Sequence, residues 1–282
     1  MMADESSPLK ANCKSGAFLL NLSNLMLPKL RTLARALLYG AAEVAYPHTI
    51  INLGGESFKV PLRWRKWFCE GYEQPTFDFI RAHCKPGATL IDIGAHFGIF
   101  TISALRKVGP SGKVISFEPC AATRSVLLQT LELNGFSGIP EIRDEAVSNV
   151  TGQSSFFSST IPGDAANSLI GNAQHPTKSE VRTVRLDDIH LSRVDAIKID
   201  AEGAELQILD GSRALITKHR PAVLLSVHPM QISSSGRSLG DLWDVVESLK
   251  LVPNIKDQPV SSEWFRSQTE LFDVCLEAPT LI

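Results

Sequence analysis

Two hydrophobic patterns alternate along most of this chain. Short apolar runs that end at a glycine or an acidic residue predict buried strands, and segments with apolar residues every three or four positions predict helices. The clearest pair is an apolar run from Leu90 to Ile93, which a glycine-containing turn joins to a periodic segment ending at Val108. Similar pairs recur as far as residue 276. This alternation predicts an α/β fold with a doubly wound, mostly parallel sheet.

The same pattern places the individual elements. Core strands are predicted at residues 90–93, 114–117, 141–144, 194–200, 221–227 and 271–276, and helices at residues 74–83, 97–108, 126–133, 204–209 and 239–249. Residues 49–53 and 57–60 flank a Gly-Gly-Glu turn and predict a β-hairpin. Residues 146–186 are polar, which is typical of an inserted hairpin with a loop. Because loops over an open sheet often carry specificity, we expect Asn167 to Gln174 to form a lid.

A leucine- and alanine-rich segment, residues 17–46, precedes the hairpin. It predicts an N-terminal tail and helical extension at residues 1–47 and one catalytic domain at residues 48–282. Its uncharged stretch, residues 15–28, is shorter than the roughly 20 apolar residues that cross a bilayer, so no transmembrane segment is expected. We favour helices that pack on the domain or on a second subunit, as in a homo-oligomer. Contact with a membrane surface and a targeting role remain open alternatives.

Composition excludes several classes of function. The 282 residues carry a formal net charge of −2, so no basic field favours nucleic acid as a partner. The five cysteines are scattered and form no C-x-x-C pair, which argues against a disulfide scaffold and a zinc site and fits a cytoplasmic location. No spacing of histidine and acidic residues demands a metal, so none is assigned, and a metal where carboxylates converge is left as an open alternative.

The turn after Ile93 is the first candidate site. It reads Gly94-Ala95-His96-Phe97-Gly98, and its glycines suit a backbone that turns sharply and lets a ligand come close. Glu118 ends the next strand, twenty residues beyond Gly98, where a carboxylate can accept hydrogen bonds from both hydroxyls of a ribose. The glycine loop and Glu118 together predict a cofactor that contains a nucleoside.

Charge decides which cofactor is expected. Asp92 stands directly before the turn, and the third glycine of a dinucleotide fingerprint is missing. A carboxylate there would repel a pyrophosphate but can hold the α-ammonium group of S-adenosylmethionine, directly or through water. The sequence therefore favours S-adenosylmethionine, and an NAD-dependent oxidoreductase is the main alternative enzyme.

Further acidic residues and one histidine fall at the carboxyl ends of the predicted strands, where open parallel sheets bind ligands. Asp200 and His228 are the candidate bases. Asp200 could instead form a salt bridge to Lys198 or cap a helix. His228 could instead be a loop histidine whose hydrogen bonds are made within the protein. Asp144 or Glu145 could accept from an adenine amino group, although either also suits a solvated loop. Glu73, at the start of the helix at residues 74–83, is placed at the cofactor pocket.

Three motifs carry a resemblance to a known family. They are Ile91-Asp92-Ile93-Gly94-Ala95-His96-Phe97-Gly98, Phe117-Glu118-Pro119, and Lys198-Ile199-Asp200-Ala201-Glu202-Gly203-Ala204-Glu205. Together, over roughly Tyr72 to Pro229, the chain resembles the FkbM-type S-adenosylmethionine-dependent methyltransferases. The resemblance implies a class I methyltransferase (Rossmann-like) fold for residues 48–282 and methyl transfer to a hydroxyl of a sugar, lipid or secondary metabolite, so the expected partner is a small-molecule or glycan acceptor.

The resemblance also assigns roles to residues. It implies that Asp92, Gly94, Ala95 and Gly98 bind the methionine end of the cofactor, that Glu118 binds the ribose, and that Asp200 and Glu202 flank the reacting centre. His96, in the same loop, and Asp200 are also expected to bind the cofactor. Two residues depart from the family pattern, since His96 replaces the usual asparagine and Ser226 replaces an acid at the end of the fifth strand. These departures leave a non-catalytic scaffold subunit as a further alternative.

Overall fold

The computed structural model describes residues 47–69, 71–158, 167–171 and 177–279. The predicted N-terminal helices and residues 172–174 of the predicted lid lie outside the described residues. The chain forms two compact units and passes from the first to the second between Tyr72 and Glu73. A separate extension at residues 1–47 therefore stays a prediction. No helix in the described ranges is long and apolar enough to cross a bilayer.

The described part of the first unit is the predicted β-hairpin. Its strands are β1 (His48–Leu53) and β2 (Glu56–Pro61), which pair antiparallel and are followed by a 3-10 helix at Leu62–Trp67. Gly54 and Gly55 form the two-residue turn with φ values of 56° and 80°. Such turns need positive φ at both positions, which glycine adopts without steric cost.

The second unit contains the remaining elements. In chain order they are α1 (Gln74–His83), β3 (Thr89–Ile93), α2 (Ile99–Val108), β4 (Lys113–Phe117), α3 (Ala121–Leu133), β5 (Glu141–Arg143), β6 (Ala146–Val147), β7 (Gly152–Ser158), β8 (Thr177–Val184), β9 (Ala196–Ile199), α4 (Glu205–Asp210), α5 (Arg213–His219), β10 (Ala222–Val227), α6 (Pro229–Ser234), α7 (Leu239–Ser248), β11 (Val252–Ile255), β12 (Gln258–Pro259), α8 (Ser262–Ser267) and β13 (Phe272–Glu277).

Eight strands form the main sheet, in the order β12-β11-β13-β10-β9-β3-β4-β5. The five strands from β10 to β5 are parallel, and β13 is antiparallel and lies between β10 and β11. This arrangement confirms the predicted class I methyltransferase fold. The chain builds outward from β3 to β5 and later returns to the other side of β3 with β9. Ligands of such sheets bind where the order reverses, which here is between the carboxyl ends of β3 and β9.

The polar region between β5 and β9 forms a separate small sheet, in the order β6-β8-β7. Strands β7 and β8 are antiparallel, with Gly152 opposite Thr183, so the predicted inserted hairpin is confirmed. Ser168 forms an isolated antiparallel bridge with Phe157 of β7, which attaches the described part of the predicted lid to this sheet.

Burial in the core explains which helix and strand boundaries the sequence predicts well. All five residues of β3 are buried, as in a parallel strand covered on both faces, so its apolar run is easy to detect. Helix α3 begins five residues earlier than predicted, because its first turn, Ala121 to Arg124, contains few apolar residues. The short elements α5, α6, α8, β6, β11 and β12 were not predicted, since each has too few residues to display a period.

Candidate active site

The loop between β3 and α2 is locked against the neighbouring strands. The backbone N–H groups of Gly94 and Ala95 both donate to the Phe117 carbonyl at the end of β4, at 3.1 Å. Gly94 has φ 75°, and a Cβ atom on it would lie 1.9 Å from the Asp200 carbonyl oxygen. Only glycine allows the β3 loop and the end of β9 to approach this closely. The glycine predicted for a ligand loop thus also seats this loop beside Asp200.

Glu118 stands at the end of β4, beside the loop, as predicted. Its carboxylate accepts hydrogen bonds from the backbone N–H groups of His96 (2.9 Å) and Cys120 (3.0 Å). The side chain is almost fully buried, and burial raises its pKa to about 7 although these two bonds and the charges of Arg124 and Lys198 oppose the shift. Each carboxylate oxygen keeps a second lone pair that a ligand hydroxyl can reach.

His96 has a structural reason to replace asparagine. Its φ is 49°, in the left-handed region that asparagine, aspartate and histidine occupy more readily than other non-glycine residues. The contact it makes with Glu118 comes from the backbone, and its ring stacks on Phe97 at a centroid distance of 3.8 Å. The loop conformation therefore does not depend on an asparagine side chain.

A buried polar row crosses the three central strands. Lys198, Asp92 and Ser116 lie side by side in the registers of β9, β3 and β4. Thr101 of α2 donates to Asp92 (2.7 Å) and contacts the Ser116 hydroxyl (2.9 Å). Asp92 has no exposed surface, so the structure places it beneath the loop, and its contact with a cofactor stays a prediction.

Lys198 links this row to the loop and to Asp200. Its Nζ donates to the Gly94 carbonyl at 3.0 Å and lies 3.6 Å from carboxylate oxygens of both Asp92 and Asp200. Burial alone lowers the pKa of Lys198, but the Asp200 and Asp92 carboxylates outweigh it and raise that pKa. The salt bridge anticipated for Asp200 is therefore present. Lys198 was not predicted as a site residue, although a lysine inside an apolar strand was a usable signal.

Asp200, Glu202 and His228 converge where β9 and β10 end. His228 Nε2 lies 3.7 Å from Asp200 Oδ1 and 3.5 Å from Glu202 Oε1, and its Nδ1 is hydrogen-bonded to Glu205 Oε1 at 2.8 Å. The Asp200 side chain is 25% exposed, whereas that of His228 is 3% exposed. The two predicted bases are thus neighbours, and only Asp200 offers appreciable surface.

The acids around His228 set its charge. Burial lowers its pKa, but the hydrogen bonds and charges of Glu202 and Glu205 outweigh burial and raise the pKa well above its ordinary value. These acids therefore favour the charged form of His228. Glu205 has no exposed surface and also accepts from the Gly203 N–H at 3.0 Å. Sequence reasoning did not assign Glu205 a role, because a glutamate in a first helical turn usually has none beyond capping.

The loop from Asp200 to Gly203 is held in an unusual conformation. Glu202 has φ 52°, and a Cβ on Gly203 would lie 2.6 Å from the Cβ of Gln231. Gln231 donates to Glu202 Oε2 at 3.2 Å. On the other side, Ser168 Oγ lies 2.7 Å from the Glu202 carbonyl and donates to it. The insertion and α6 thus hold this loop from two directions.

An acid does lie at the end of β10, but it comes from another strand. Ser226 donates to Asp273 Oδ1 at 2.6 Å, and these two residues are opposite each other in the registers of β10 and β13. Burial raises the pKa of Asp273, and the Ser226 bond opposes this shift. Asp273 of β13 therefore supplies the acid that the family pattern places at the end of the fifth predicted strand, which is β10. No sequence signal identifies Asp273, because the pairing joins residues 47 positions apart.

Three predicted cofactor residues lie at the edge of this arrangement. Asp144 is exposed and pairs with Arg182, and Glu145 accepts two hydrogen bonds from Arg143, at 3.0 and 3.3 Å. The Arg143 bonds lower the pKa of Glu145. Glu73, in a left-handed conformation before α1, is close enough to Lys198 to contribute to its raised pKa. Contact of any of the three with a cofactor stays a prediction.

Comparison with known proteins places this site in a family. Methyltransferase 1 of Beauveria bassiana (strain ARSEF 2860) is 30% identical over 148 residues, 43% of this chain and 57% of that protein. Methyltransferase sdnD of Sordaria araneosa is 28% identical over 167 residues, 46% of this chain and 64% of that protein. The chain thus matches less than two thirds of either relative's length. A solved methyltransferase FkbM from Methylobacillus flagellatus KT is 17% identical, with a TM-score of 0.42 over 71% of this chain and 49% of that chain.

The family assignment rests on a match over the central part of the chain. Residues 92–250 correspond to the methyltransferase FkbM domain. This region begins at the carboxylate before the glycine loop, includes β9, β10 and the acids that follow β9, and ends after α7. Because it covers more than half of the 282 residues, the protein belongs to the FkbM family of methyltransferases.

Proposed function

We propose that this methyltransferase transfers the methyl group of S-adenosylmethionine to a hydroxyl oxygen of a small-molecule or glycan acceptor. Family membership confirms the methyltransferase assignment and S-adenosylmethionine as the predicted cofactor. One observation carries the choice of a hydroxyl acceptor: Asp200, a partly exposed carboxylate, is packed through its backbone against Gly94 of the cofactor loop. An alcohol needs a base to take its proton, and the position of Asp200 beside the glycine loop supports that role.

The residues of the site suit this cofactor. Glu118 retains lone pairs for the two ribose hydroxyls, and its ionised form accepts both of them. The negative charges of Asp92 and Asp200 lie on the two sides of the loop where we place the cationic methionine end. Since Asp92 is fully buried, we assign the direct contacts to the loop backbone, and to Asp92 and Asp200 a supporting electrostatic role. When bound, the cofactor supplies an electrophilic methyl group.

The protein's own part in the reaction is alignment and proton removal. Asp200 accepts the proton of the acceptor hydroxyl, and Lys198, 3.6 Å away, holds its carboxylate in place. Because Glu202 and Glu205 raise the pKa of His228, its imidazole serves better to stabilise negative charge beside Asp200 than to act as the base. Glu202, on the same loop, faces the acceptor side in this proposal.

The acceptor class rests on the family resemblance: a sugar, a lipid or a secondary metabolite carrying a free hydroxyl. The oxidoreductase alternative loses its basis, because the chain belongs to a methyltransferase family. The scaffold alternative was based on Ser226 and His96. The Ser226–Asp273 pair and the left-handed conformation of His96 remove both reasons for expecting lost turnover.

The proposal is tested with Asp200→Asn. We expect affinity for S-adenosylmethionine, measured by calorimetry, to change little, and release of S-adenosylhomocysteine with a panel of hydroxylated acceptors to fall by about 10²–10⁴-fold, the usual contribution of a general base. Asp244→Asn, an exposed residue paired with Arg266, is the matched control and keeps full turnover. Equal turnover of Asp200→Asn and the control would remove Asp200 as the base.

A further inference from the structure

Three side chains at the ends of β9 and β10 are of types that bind metal ions, and they lie close together. Asp200, Glu202 and His228 each offer one ligand atom, and these atoms all lie within 4.8 Å of one another. In the sequence these three residues show no spacing that demands a metal. They come together only because β9 and β10 are adjacent in the sheet.

The imidazole of His228 is fixed with one nitrogen directed at the two acids. Its Nδ1 is held by Glu205 at 2.8 Å, and its Nε2 lies 3.5 and 3.7 Å from the Glu202 and Asp200 oxygens. Hydrogen bonds from ring nitrogens are usually about 2.7–3.2 Å long, so the contacts of Nε2 with Glu202 and Asp200 are long ones. They approach the roughly 3.4 Å that separates the ligand atoms of a tetrahedral ion with bonds of about 2.1 Å.

Each of the three side chains also has an outer partner. Glu205 holds His228, Gln231 donates to Glu202 Oε2, and Lys198 lies beside Asp200 Oδ2. Metal ligands in proteins are characteristically oriented in this way by hydrogen-bonded second partners, and the histidine–carboxylate pair is the most frequent form. The cluster is therefore a supported arrangement and not a chance meeting of surface acids.

Exposure leaves one side of the cluster open. The side chains of His228, Glu202 and Asp200 are 3%, 14% and 25% exposed. Three protein ligands with a reachable fourth position are the pattern of catalytic zinc sites. Imidazole nitrogen with carboxylate oxygen suits transition ions better than Mg²⁺ or Ca²⁺, which prefer oxygen alone.

We propose that Asp200, Glu202 and His228 bind a divalent transition-metal ion of the Zn²⁺ type. The ion displaces the proton from His228 Nε2 to solvent and leaves one coordination position for an oxygen ligand. Its role in catalysis rests on the proposed function: a hydroxyl of the acceptor in that position would lose its proton more easily. Binding itself does not depend on the identity of the acceptor.

A second cluster among the described residues provides the matched control. His83, Cys275 and Glu277 also offer three ligand atoms within 4.8 Å of one another, and all three are half-buried. The thiol of Cys275 makes this cluster a competitor for Zn²⁺. Cys275→Ser disables it while leaving Asp200, Glu202 and His228 untouched.

The test is calorimetric titration of the full-length, chelator-treated protein with Zn²⁺, without methyl donor or acceptor. We expect one tight equivalent in the unmodified protein and in Cys275→Ser. In His228→Gln and Glu202→Gln we expect the affinity for Zn²⁺ to fall by more than roughly a hundredfold. Changes in the residues that only orient metal ligands typically lower metal affinity by about 10–100-fold, so a larger loss indicates a lost ligand. Co²⁺ added instead of Zn²⁺ should give the visible absorption of a tetrahedral ion, and His228→Gln should abolish it.

Two results would overturn the proposal: no tight equivalent in the unmodified protein, or an equivalent that survives in Glu202→Gln and disappears in Cys275→Ser. Thermal melting checks the fold of each variant. If the buried His228→Gln does not fold, the more exposed Glu202→Gln decides the question. Because donor and acceptor are absent, failure here leaves the methyl-transfer proposal standing, and failure of the Asp200→Asn test leaves metal binding standing.

Discussion

At the scale of single residues, the main feature of this protein is a buried pair of opposite charges. Lys198 and Asp92 are almost fully buried and lie side by side in adjacent strands. A buried ion pair contributes little net stability, but removing one partner leaves an uncompensated charge that costs about 3–5 kcal/mol. Lys198 also holds the Gly94 carbonyl, so the pair fixes the position of the cofactor loop. The role of the Lys198–Asp92 pair is therefore better explained by the position that it gives the loop than by a contribution to stability.

Glu118 gives a prediction at this scale. Its folded-state pKa of about 7 lies above the ordinary 4.5, so between these values the folded protein keeps a proton that the unfolded chain has lost. The stability from that proton is fully present below pH 4.5 and is lost as the pH rises through 7. Relative to Glu118→Gln, we expect the free energy of unfolding to fall by about 3 kcal/mol over this window.

Urea unfolding from pH 4.5 to 7.5 measures this effect. The charged groups facing Glu118 are Arg124 and Lys198, both cationic throughout this range, so Glu118 itself accounts for the difference between the two proteins. Glu132→Gln, at an exposed position on α3, should unfold in parallel with the unmodified protein. Parallel curves for Glu118→Gln as well would show that this carboxyl group does not have a raised pKa.

At the scale of elements, two loops lock each other. The β3–α2 loop and the β9–α4 loop meet where the Gly94 backbone approaches the Asp200 carbonyl. Gln231 of α6 and Ser168 of the insertion hold the second loop. The two loops that we propose for the cofactor and the acceptor are thus coupled through backbone packing, so we expect a change in one loop to displace the other.

Gly94→Ala tests this coupling. The new Cβ would overlap the Asp200 carbonyl, so we expect loss of S-adenosylmethionine binding in calorimetry and a loss of stability larger than the 1–2 kcal/mol or so that a left-handed alanine costs by itself. Gly135→Ala is the matched control, because Gly135 has nearly the same φ (79°) but a Cβ there meets nothing within 4 Å. If both variants bound cofactor equally well, the close approach would not matter to the site.

At the scale of the whole molecule, the last strand completes the sheet from within. Strand β13 lies between β10 and β11, and its residues Val274 and Leu276 are buried. The family match ends at residue 250, before this strand. The region that identifies the family is therefore smaller than the region that the fold requires, and Asp273 belongs to the part outside it.

Truncation tests this dependence. A chain ending at Lys250 would leave the β10 edge unpaired and expose the apolar face that Val274 and Leu276 cover. We expect it to lack a cooperative thermal transition in circular dichroism, whereas a chain ending at Ala278 should melt like the full-length protein. A cooperative transition in the shorter chain would show that residues 92–250 fold without β13.

Sequence reasoning succeeded where a pattern is local. The strands β3 and β4, helix α1 and the β-hairpin were predicted almost to the residue, because apolar runs, glycine turns and helical periods lie within a few positions of each other. The positions of Glu118 and Asp200 at strand ends followed from the same pattern. Short elements such as α6 and β12 were missed, since neither has enough regularly spaced apolar residues to display a period.

The sequence by itself determined the fold class, the cofactor and the family, because each depends on motifs of a few consecutive residues. Only the tertiary structure decided that Asp92 lies buried beneath the loop, that Asp273 replaces the acid absent at Ser226, and that Asp200, Glu202 and His228 converge. The physical reason is strand pairing. Register across a sheet brings together side chains that are distant in sequence, and no local pattern of polar and apolar residues encodes which of them will meet.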